Sequence, residues 1–260
     1  MQDYRPVQIQ GQDGLTIEPN NFNAASFEAE VDDVFARIAS KYDRLCDIFS
    51  LMIHRSWKAN MARSMQSEGG GVVLDVASGT GDIPLRYLRQ PESDNVDLTV
   101  TDISPQMLAL AKQKIGTNIN NVSFQLMNAE DLVDVPDASV DVYSISFAMK
   151  IIDRKRALRE AIRVLKPGGV FYCLEASRIP VKAIHNMYLA YMDWCMPVIG
   201  RLATNGDASA YQYLLKGVHD FPGSEAFAAE IMDHGFADVS FKRFTFGIAA
   251  LHRAVKPRID

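Results

Sequence analysis

The sequence has few cysteines and no long apolar run. Its three cysteines, Cys46, Cys173 and Cys195, are odd in number and lack metal-ligand spacing, so neither a disulfide framework nor a metal site is expected. No stretch of about 20 apolar residues is present that could span a bilayer. The N-terminus lacks a basic segment followed by an apolar core. These absences indicate a reducing, cytoplasmic compartment.

The chain also lacks a run of basic residues. With 27 Lys and Arg residues against 32 Asp and Glu residues, its formal net charge is −5. Nucleic-acid backbones are bound by clustered positive charge, so no nucleic-acid partner is expected. A hydrophobic fraction of 48% and a charged fraction of 23% are typical of a globular protein. A length of 260 residues accommodates one large α/β domain.

The first part of the chain differs in composition from the rest. Residues 1–27 are polar and lack apolar periodicity, so we expect a flexible arm there, followed by a single domain over residues 28–260. From residue 28 apolar side chains recur at intervals of three and four, which predicts an N-terminal helix. A second helix is expected over residues 54–65.

Seven short apolar runs predict the strands of a sheet. They lie at residues 72–76, 96–101, 122–127, 140–147, 170–174, 237–245 and 247–255. Helical segments near residues 83–88, 104–115 and 154–165 alternate with the first five, which is typical of a doubly wound, parallel α/β sheet with right-handed crossovers. The last two runs are almost contiguous, which favours an antiparallel C-terminal pair. Residues 178–222 predict a helical insertion rich in Met, Tyr and Trp, which either packs as core or lines an apolar pocket.

A glycine-containing segment follows the first predicted strand. Residues 74–82 read LDVASGTGD, and glycine at such a turn lets a ligand approach the backbone closely. A dinucleotide fingerprint would need a third glycine three residues after Gly81, where Pro84 stands. An NAD-dependent oxidoreductase is therefore disfavoured. A glycine turn without a ligand is the simplest alternative.

The pattern acidic-x-small-x-Gly-x-Gly is formed by Asp75, Ala77, Gly79 and Gly81. It resembles motif I of the class I methyltransferases, which bind S-adenosylmethionine (SAM). The resemblance implies a seven-stranded, Rossmann-like sheet. It also implies that these four residues, together with Asp82, bind the cofactor.

A second carboxylate ends the next predicted strand. Asp102 lies 21 positions past Gly81, where a carboxylate can accept hydrogen bonds from both hydroxyls of a ribose. The alternative is that Asp102 only caps the helix predicted to begin at Ser104 and Pro105. The two motifs together favour a nucleoside site.

The same resemblance extends the cofactor site to the ends of further strands. It implies contacts from Ile103 and from Asn128, Ala129 and Glu130, where class I methyltransferases place a side chain against the adenine amino group. Ser146, at the end of the fourth predicted strand, would face the transferable methyl.

Two longer segments resemble the signatures of the UbiE-type ubiquinone/menaquinone biosynthesis C-methyltransferases. Residues 163–177 match the second signature, and residues 42–50 with His54 and Trp57 resemble the first. The similarity extends from about residue 34 to residue 253 and covers most of the chain. It implies methyl transfer from SAM to a small aromatic, quinol-like acceptor. If that acceptor is prenylated, we also expect the protein to contact a membrane peripherally. A homodimer is a further expectation for the chain.

The departures from this family lie on the acceptor side. Cys46 replaces an Asn of the first signature, and Met52 replaces a Gly. After Phe147 the family carries Gly-x-Arg-Asn, whereas residues 148–151 here read AMKI, and the segment is one residue shorter. The Arg-Asn pair lines the quinol site of the family. Its loss keeps two alternatives open: a relative acting on another specialised metabolite, and a SAM-binding protein without transfer activity.

C-methylation of a quinol requires a group that promotes ionisation of the ring. The acceptor carbon becomes nucleophilic when a neighbouring hydroxyl loses its proton, which calls for a general base or a cation. We expect Lys150 and His54 in this role, with Tyr42 and Asp43 orienting the acceptor. The alternatives are a histidine exposed on a helix and a lysine directed to solvent.

Overall fold

The computed structural model describes residues 42–69, 71–91, 96–116, 119–204, 215 and 217–258. The predicted arm and most of the predicted N-terminal helix lie outside these residues, as does part of the predicted insertion. For Tyr42 only the backbone is described.

A seven-stranded sheet forms the centre of the fold and confirms the predicted class. The strands are β1 (Gly71–Val76), β2 (Val96–Asp102), β3 (Val122–Leu126), β4 (Val140–Ser146), β5 (Leu165–Ala176), β6 (Ala237–Phe244) and β7 (Ala249–Val255). Their order is β3-β2-β1-β4-β5-β7-β6. The pairs among β1 to β5 are parallel. Strand β7 runs antiparallel to β6, as predicted, and it also pairs antiparallel with β5.

Helices cover both faces of this sheet. They are α1 (Tyr42–Phe49), α2 (His54–Gln66), α3 (Asp82–Leu88), α4 (Pro105–Ile115), α5 (Arg154–Val164), α6 (Lys182–Thr204) and α7 (Ser224–Asp233), with a 3₁₀ turn at Thr245–Gly247. Because side chains alternate along a strand, neighbouring β1 residues enter different cores. Val73 packs with residues of α2, α3 and α4, whereas Leu74 packs with residues of α5 and α7.

Local sequence sets where two of these helices begin and end. Ser104 caps α4 by accepting a hydrogen bond from the Met107 N–H, with Pro105 in the first turn. Helix α5 ends at Val164, directly before the first residue of β5. Strand β5 begins at Leu165, five residues earlier than predicted, because a register shift lets this segment pair with β4 before the regular ladder starts.

Helix α6 lies within the predicted insertion and exposes several of its apolar residues. Met192 and Cys195 are buried, but Trp194 is 71% exposed and Met187 is 73% exposed. The expectation that Trp194 lies in the core or lines a pocket is therefore wrong, because the residue faces outward from α6. Within the described ranges, no helix combines the length and apolar content needed to cross a bilayer.

Candidate cofactor and acceptor site

The carboxyl ends of the parallel strands meet at one edge of the sheet. Strand order reverses between β1 and β4, and such a switch point leaves a crevice for a ligand. The residues after β1, at the end of β2, after β3 and at the end of β4 include Gly79, Asp102, Asn128 and Ser146. The topology therefore brings the predicted cofactor residues to one edge.

The loop after β1 uses its two glycines differently. Gly79 has φ +56°, and a Cβ added there would meet no atom within 4 Å. Gly81 has φ +77°, and its Cβ would lie 3.0 Å from both Ala111 Cβ and Ile115 Cδ1. Gly81 thus permits close packing of the loop on α4. Gly79 borders open space, as a backbone position that a ligand approaches should.

Asp102 is buried and tied to this loop. Its Oδ2 accepts from the Gly79 N–H at 2.7 Å, and its Oδ1 accepts from the Ser104 N–H at 2.9 Å. The helix cap itself is Ser104, so Asp102 supports both the loop and the start of α4. A ribose bound here would share the carboxylate with the Gly79 N–H. The adjacent Ile103 is 37% exposed and offers apolar surface beside it.

Asp75 lies at the centre of the edge with one carboxylate oxygen unsatisfied. Oδ1 accepts a hydrogen bond from the Ser144 hydroxyl, whereas Oδ2 is buried without a partner among the described residues. Burial raises the pKa of Asp75 to about 6. A buried acceptor without a donor is unfavourable, so a ligand that brings a cationic N–H fits this position.

A polar network joins the glycine loop to three helices. Asp43 on α1 accepts from the Thr80 hydroxyl at 2.6 Å and from Lys114 Nζ at 2.5 Å. Asp82 pairs with Lys58 at 2.9 Å and with Lys114 at 3.4 Å. Burial opposes ionisation of Asp82, but the two lysines outweigh it and hold its pKa well below the ordinary range. Asp43 therefore anchors the loop, and no contact between its side chain and His54 is seen in the described part of the chain.

The residues after β3 form a tight turn. Asn128 Oδ1 accepts from the Glu130 N–H at 2.9 Å, and Ala129 between them is buried. The Glu130 carboxylate accepts from the Asp153 N–H at 2.9 Å and pairs with Arg156 at 3.3 Å. The Glu130 side chain is therefore directed to the start of α5, which leaves the turn itself at the sheet edge.

His54 is a buried residue at the start of α2. It is 6% exposed, so the alternative of a surface histidine is wrong. Its Nδ1 lies 2.5 Å from the Ser50 hydroxyl, and its Nε2 lies 3.9 Å from Asp47 Oδ1. Burial lowers the pKa of His54 to about 4. The imidazole is consequently neutral at pH 7.

Lys150 is buried after β4 in an ion pair with Glu175. Its Nζ donates to Glu175 Oε1 at 3.1 Å and to the Phe147 carbonyl. The same atom lies 5.3 Å from the centroid of the Phe147 ring, which in turn lies 6.4 Å from the Trp57 ring. The alternative of a solvent-directed lysine is wrong, since the Lys150 side chain is 7% exposed. Cation and aromatic rings thus line the edge beyond Ser146.

Four residues of this edge are absent from the sequence-based site. They are Lys58, Thr80, Lys114 and Glu175. Thr80 could have been included from its place between the two motif glycines. The lysines and Glu175 carry no such local signal, because their partners come from other elements of the fold.

This sheet order, the glycine loop after β1 and the carboxylate ending β2 define a class I methyltransferase. Two solved structures share the fold. A SAM-dependent methyltransferase from Thermotoga maritima has a TM-score of 0.61 at 17% identity, covering 87% of this chain and 99% of that one. Phosphoethanolamine N-methyltransferase 2 of Haemonchus contortus, in complex with SAM, has a TM-score of 0.53 at 16% identity, covering 76% of this chain and 53% of that one.

The chain belongs to the ubiE/COQ5 methyltransferase family, whose model matches residues 23–256. Two relatives carry the name ubiquinone/menaquinone biosynthesis C-methyltransferase UbiE. That of Rickettsia bellii is 38% identical over 231 residues, covering 87% of this chain and 92% of the relative. That of Rickettsia massiliae is 39% identical over 229 residues, covering 86% and 91%. The predicted family is confirmed, and family and fold together imply SAM as the cofactor.

Proposed function

We propose that this methyltransferase transfers the methyl group of SAM to a ring carbon of a quinol of the ubiquinone/menaquinone precursor type. The family match over most of the chain supports the reaction class. The observation that carries the acceptor assignment is the buried Lys150 cation beside the aromatic rings of Phe147 and Trp57 at the sheet edge. In such a cluster the cation attracts a phenolate, and the aromatic side chains pack against the ring of the acceptor.

The cofactor half of the site is assigned from the sheet edge. Asp102 would accept from the ribose, the Gly79 backbone would allow close approach, and the turn at Asn128 and Ala129 would contact the adenine. When bound, SAM supplies a methyl group made electrophilic by the adjoining sulfonium. The open space at Gly79 and the Asp75 Oδ2, which has no hydrogen-bond partner among the described residues, both fit a cationic adenosyl ligand.

Lys150, rather than His54, is assigned to stabilise the ionised acceptor. His54 has a pKa of about 4 and carries no charge at pH 7. The Lys150 ammonium is held by Glu175 at the end of the strand next to β4, so its position is fixed before the acceptor binds. A fixed cation at the developing phenolate lowers the barrier without reorganisation. His54 is left to accept or donate a hydrogen bond at the ring hydroxyl.

Peripheral contact with a membrane is supported by exposed apolar residues. Ile184, Met187, Tyr191 and Trp194 are exposed on α6 at helical spacing. The turn before α2 adds further exposed residues, and α1 contacts α6. An amphipathic helix with aromatic residues suits the lipid interface, where a prenylated acceptor resides.

Co-sedimentation of the chain with lipid vesicles tests this contact. The fraction of Trp194→Ser that sediments with vesicles should be smaller than that of the wild type. An unchanged fraction, or a variant altered only in its dimerisation, would contradict membrane contact.

The test of the proposed function uses SAM labelled with ¹³C in its methyl group. The full chain is incubated with demethylated ubiquinone and menaquinone precursors in reduced form and, in parallel, with a cell extract, and the products are examined by NMR. A new signal from a methyl group on a ring carbon is expected. Label on oxygen, or only on another component of a cell extract, would contradict C-methylation of a quinol.

The same experiment decides between the two alternatives. Residues 148–151 depart from the family pattern on the acceptor side, which favours a relative with another small-molecule acceptor. Label that appears only on a small molecule other than the quinols would establish a relative that acts on another metabolite. Binding of SAM with no label transferred to any acceptor would indicate a SAM-binding protein without transfer activity.

A further inference from the structure

His54 lies at the end of a short chain of hydrogen bonds. The Ser50 Oγ lies 2.6 Å from the Cys46 carbonyl oxygen and 2.5 Å from His54 Nδ1. Ser50 begins the turn between α1 and α2, in which the Ile53 N–H donates to the Ser50 carbonyl at 2.9 Å. The turn therefore holds the Ser50 hydroxyl beside the buried imidazole.

The Ser50 hydroxyl has one hydrogen for these two contacts. A carbonyl oxygen only accepts, so the 2.6 Å contact with Cys46 requires the hydroxyl to donate. Such a bond from a serine to the carbonyl four residues earlier is a recurrent pattern in helices. The serine oxygen is then the acceptor toward the imidazole. At a separation of 2.5 Å, His54 Nδ1 must therefore carry the ring hydrogen.

The other ring nitrogen of His54 has no such contact. Asp47 Oδ1 lies 3.9 Å from Nε2, which is beyond hydrogen-bond distance. The Asp47 carboxylate is already engaged by Arg55, whose Nε and Nη2 donate to it at 2.7 and 2.5 Å. A hydrogen on Nε2 would find no acceptor within the part of the chain that the structure describes. Both nitrogens thus favour the neutral ring with its hydrogen on Nδ1 and a lone pair on Nε2.

The position of His54 on α2 brings the imidazole to the acceptor side. His54 and Trp57 are three residues apart, so they lie on the same face of α2, and both are buried. The Trp57 ring lies 6.4 Å from the Phe147 ring, which borders the Lys150 ammonium. His54 is therefore one helical turn from the aromatic rings assigned to the acceptor.

We propose that Ser50 is a positioning residue that holds His54 in the tautomer with an unprotonated Nε2, and that this nitrogen takes the proton of the acceptor's ring hydroxyl. The O–H bond breaks, an N–H bond forms at Nε2, and the electron pair left on oxygen makes the neighbouring ring carbon nucleophilic. After methyl transfer the ring carbon releases its hydrogen to water as a proton, and the imidazolium returns its own proton to the oxygen. This inference rests on the proposed function.

The tautomer is measured by NMR on the full chain with its histidines labelled with ¹⁵N, at pH 7, where His54 is neutral. The signals of His54 are those missing from His54→Gln. The wild type should show a protonated Nδ1 and an unprotonated Nε2. Ser50→Ala should shift the ring toward the tautomer with its hydrogen on Nε2, whereas Ser50→Thr keeps the hydroxyl and the wild-type tautomer. A wild-type ring protonated on Nε2 would overturn the proposal.

The rate of label transfer to the quinol tests the consequence for the reaction. Ser50→Ala should lower kcat about ten- to a hundred-fold, because a base in the wrong tautomer cannot take the proton, while KM changes by less than about two-fold. Ser50→Thr should recover most of the rate. Ser56→Ala, an exposed site on α2, is the matched control and should change neither the tautomer nor the rate.

Two results would overturn the role of Ser50. One is a Ser50→Ala chain that keeps the wild-type tautomer, and the other is a shifted tautomer with an unchanged kcat. If the wild type transfers no label to the quinols, the proposed function and the role of Nε2 fail together. The ¹⁵N spectra still decide in that case whether Ser50 positions the ring.

Discussion

The backbone N–H of Gly79 donates to the carboxylate of Asp102 over 2.7 Å, and this bond joins the loop after β1 to the end of β2. The loop that approaches the ligand and the carboxylate that recognises it therefore form one unit. A change at either residue should affect cofactor binding more than it affects the rest of the fold.

Asp102→Ala should weaken binding of S-adenosylhomocysteine by about 1.5 to 3 kcal/mol, because charged hydrogen bonds to the ribose and to the loop are lost. Asp102→Asn keeps one oxygen acceptor and should lose less. Calorimetry on the two variants measures the difference. Unchanged affinity in Asp102→Ala would count against the assigned role.

The two loop glycines should fail in different ways when replaced. Gly81→Ala places a Cβ against α4 at positive φ, so the free energy of unfolding should fall by about 1 to 3 kcal/mol. Gly79→Ala should lower the free energy of unfolding by only about 1 kcal/mol, the conformational cost of positive φ. Its Cβ would occupy the open space that the cofactor approaches, so the affinity for the cofactor should fall greatly. Urea unfolding and calorimetry on both variants check this. Equal effects on stability and on binding would refute the distinction.

Lys150→Met should destabilise the fold as well as abolish transfer. Glu175 is fully buried, and losing its partner leaves an uncompensated carboxylate, with an expected cost of about 3 to 5 kcal/mol. Adding Glu175→Gln removes the charge and should recover much of that stability without restoring transfer. Urea unfolding and the ¹³C assay separate the two effects. Full transfer by the stable double variant would exclude Lys150 from the reaction.

Burial of His54 should make stability depend on pH. Its pKa falls from the ordinary 6.5 to about 4, so between these values the unfolded chain binds more protons and stability decreases as pH falls. The contribution is on the order of 2 kcal/mol. Asp75 acts in the opposite sense over part of this range, so the difference between wild type and His54→Gln is measured by urea unfolding from pH 7.5 to 4. Parallel curves would show that His54 does not titrate with folding.

The fold was predictable where burial leaves a local pattern. The apolar run at residues 72–76 is β1 almost residue for residue, because both faces of this strand are covered. The start of β5 was not, because Leu165 and the following turn join the sheet through a register shift against Val140. Nothing in the segment itself encodes that pairing.

The same division applies to the site. The spacing of residues at two adjoining strand ends predicts Gly79, Gly81 and Asp102 from the sequence alone. Lys150 was predicted as a cation near the ring, but its pairing with Glu175 requires β4 and β5 to lie side by side. Pairs made by packing of separate elements leave no spacing signal.

A crystal structure of the full chain with S-adenosylhomocysteine would test the assignment of the cofactor site most directly. The expected result is the ribose hydroxyls at the Asp102 carboxylate and the sulfur at the carboxyl end of β1, beside the Gly79 backbone. Electron density for the nucleoside at any other edge of the sheet would contradict this assignment. A crevice that stays empty at a saturating concentration of S-adenosylhomocysteine would contradict it as well.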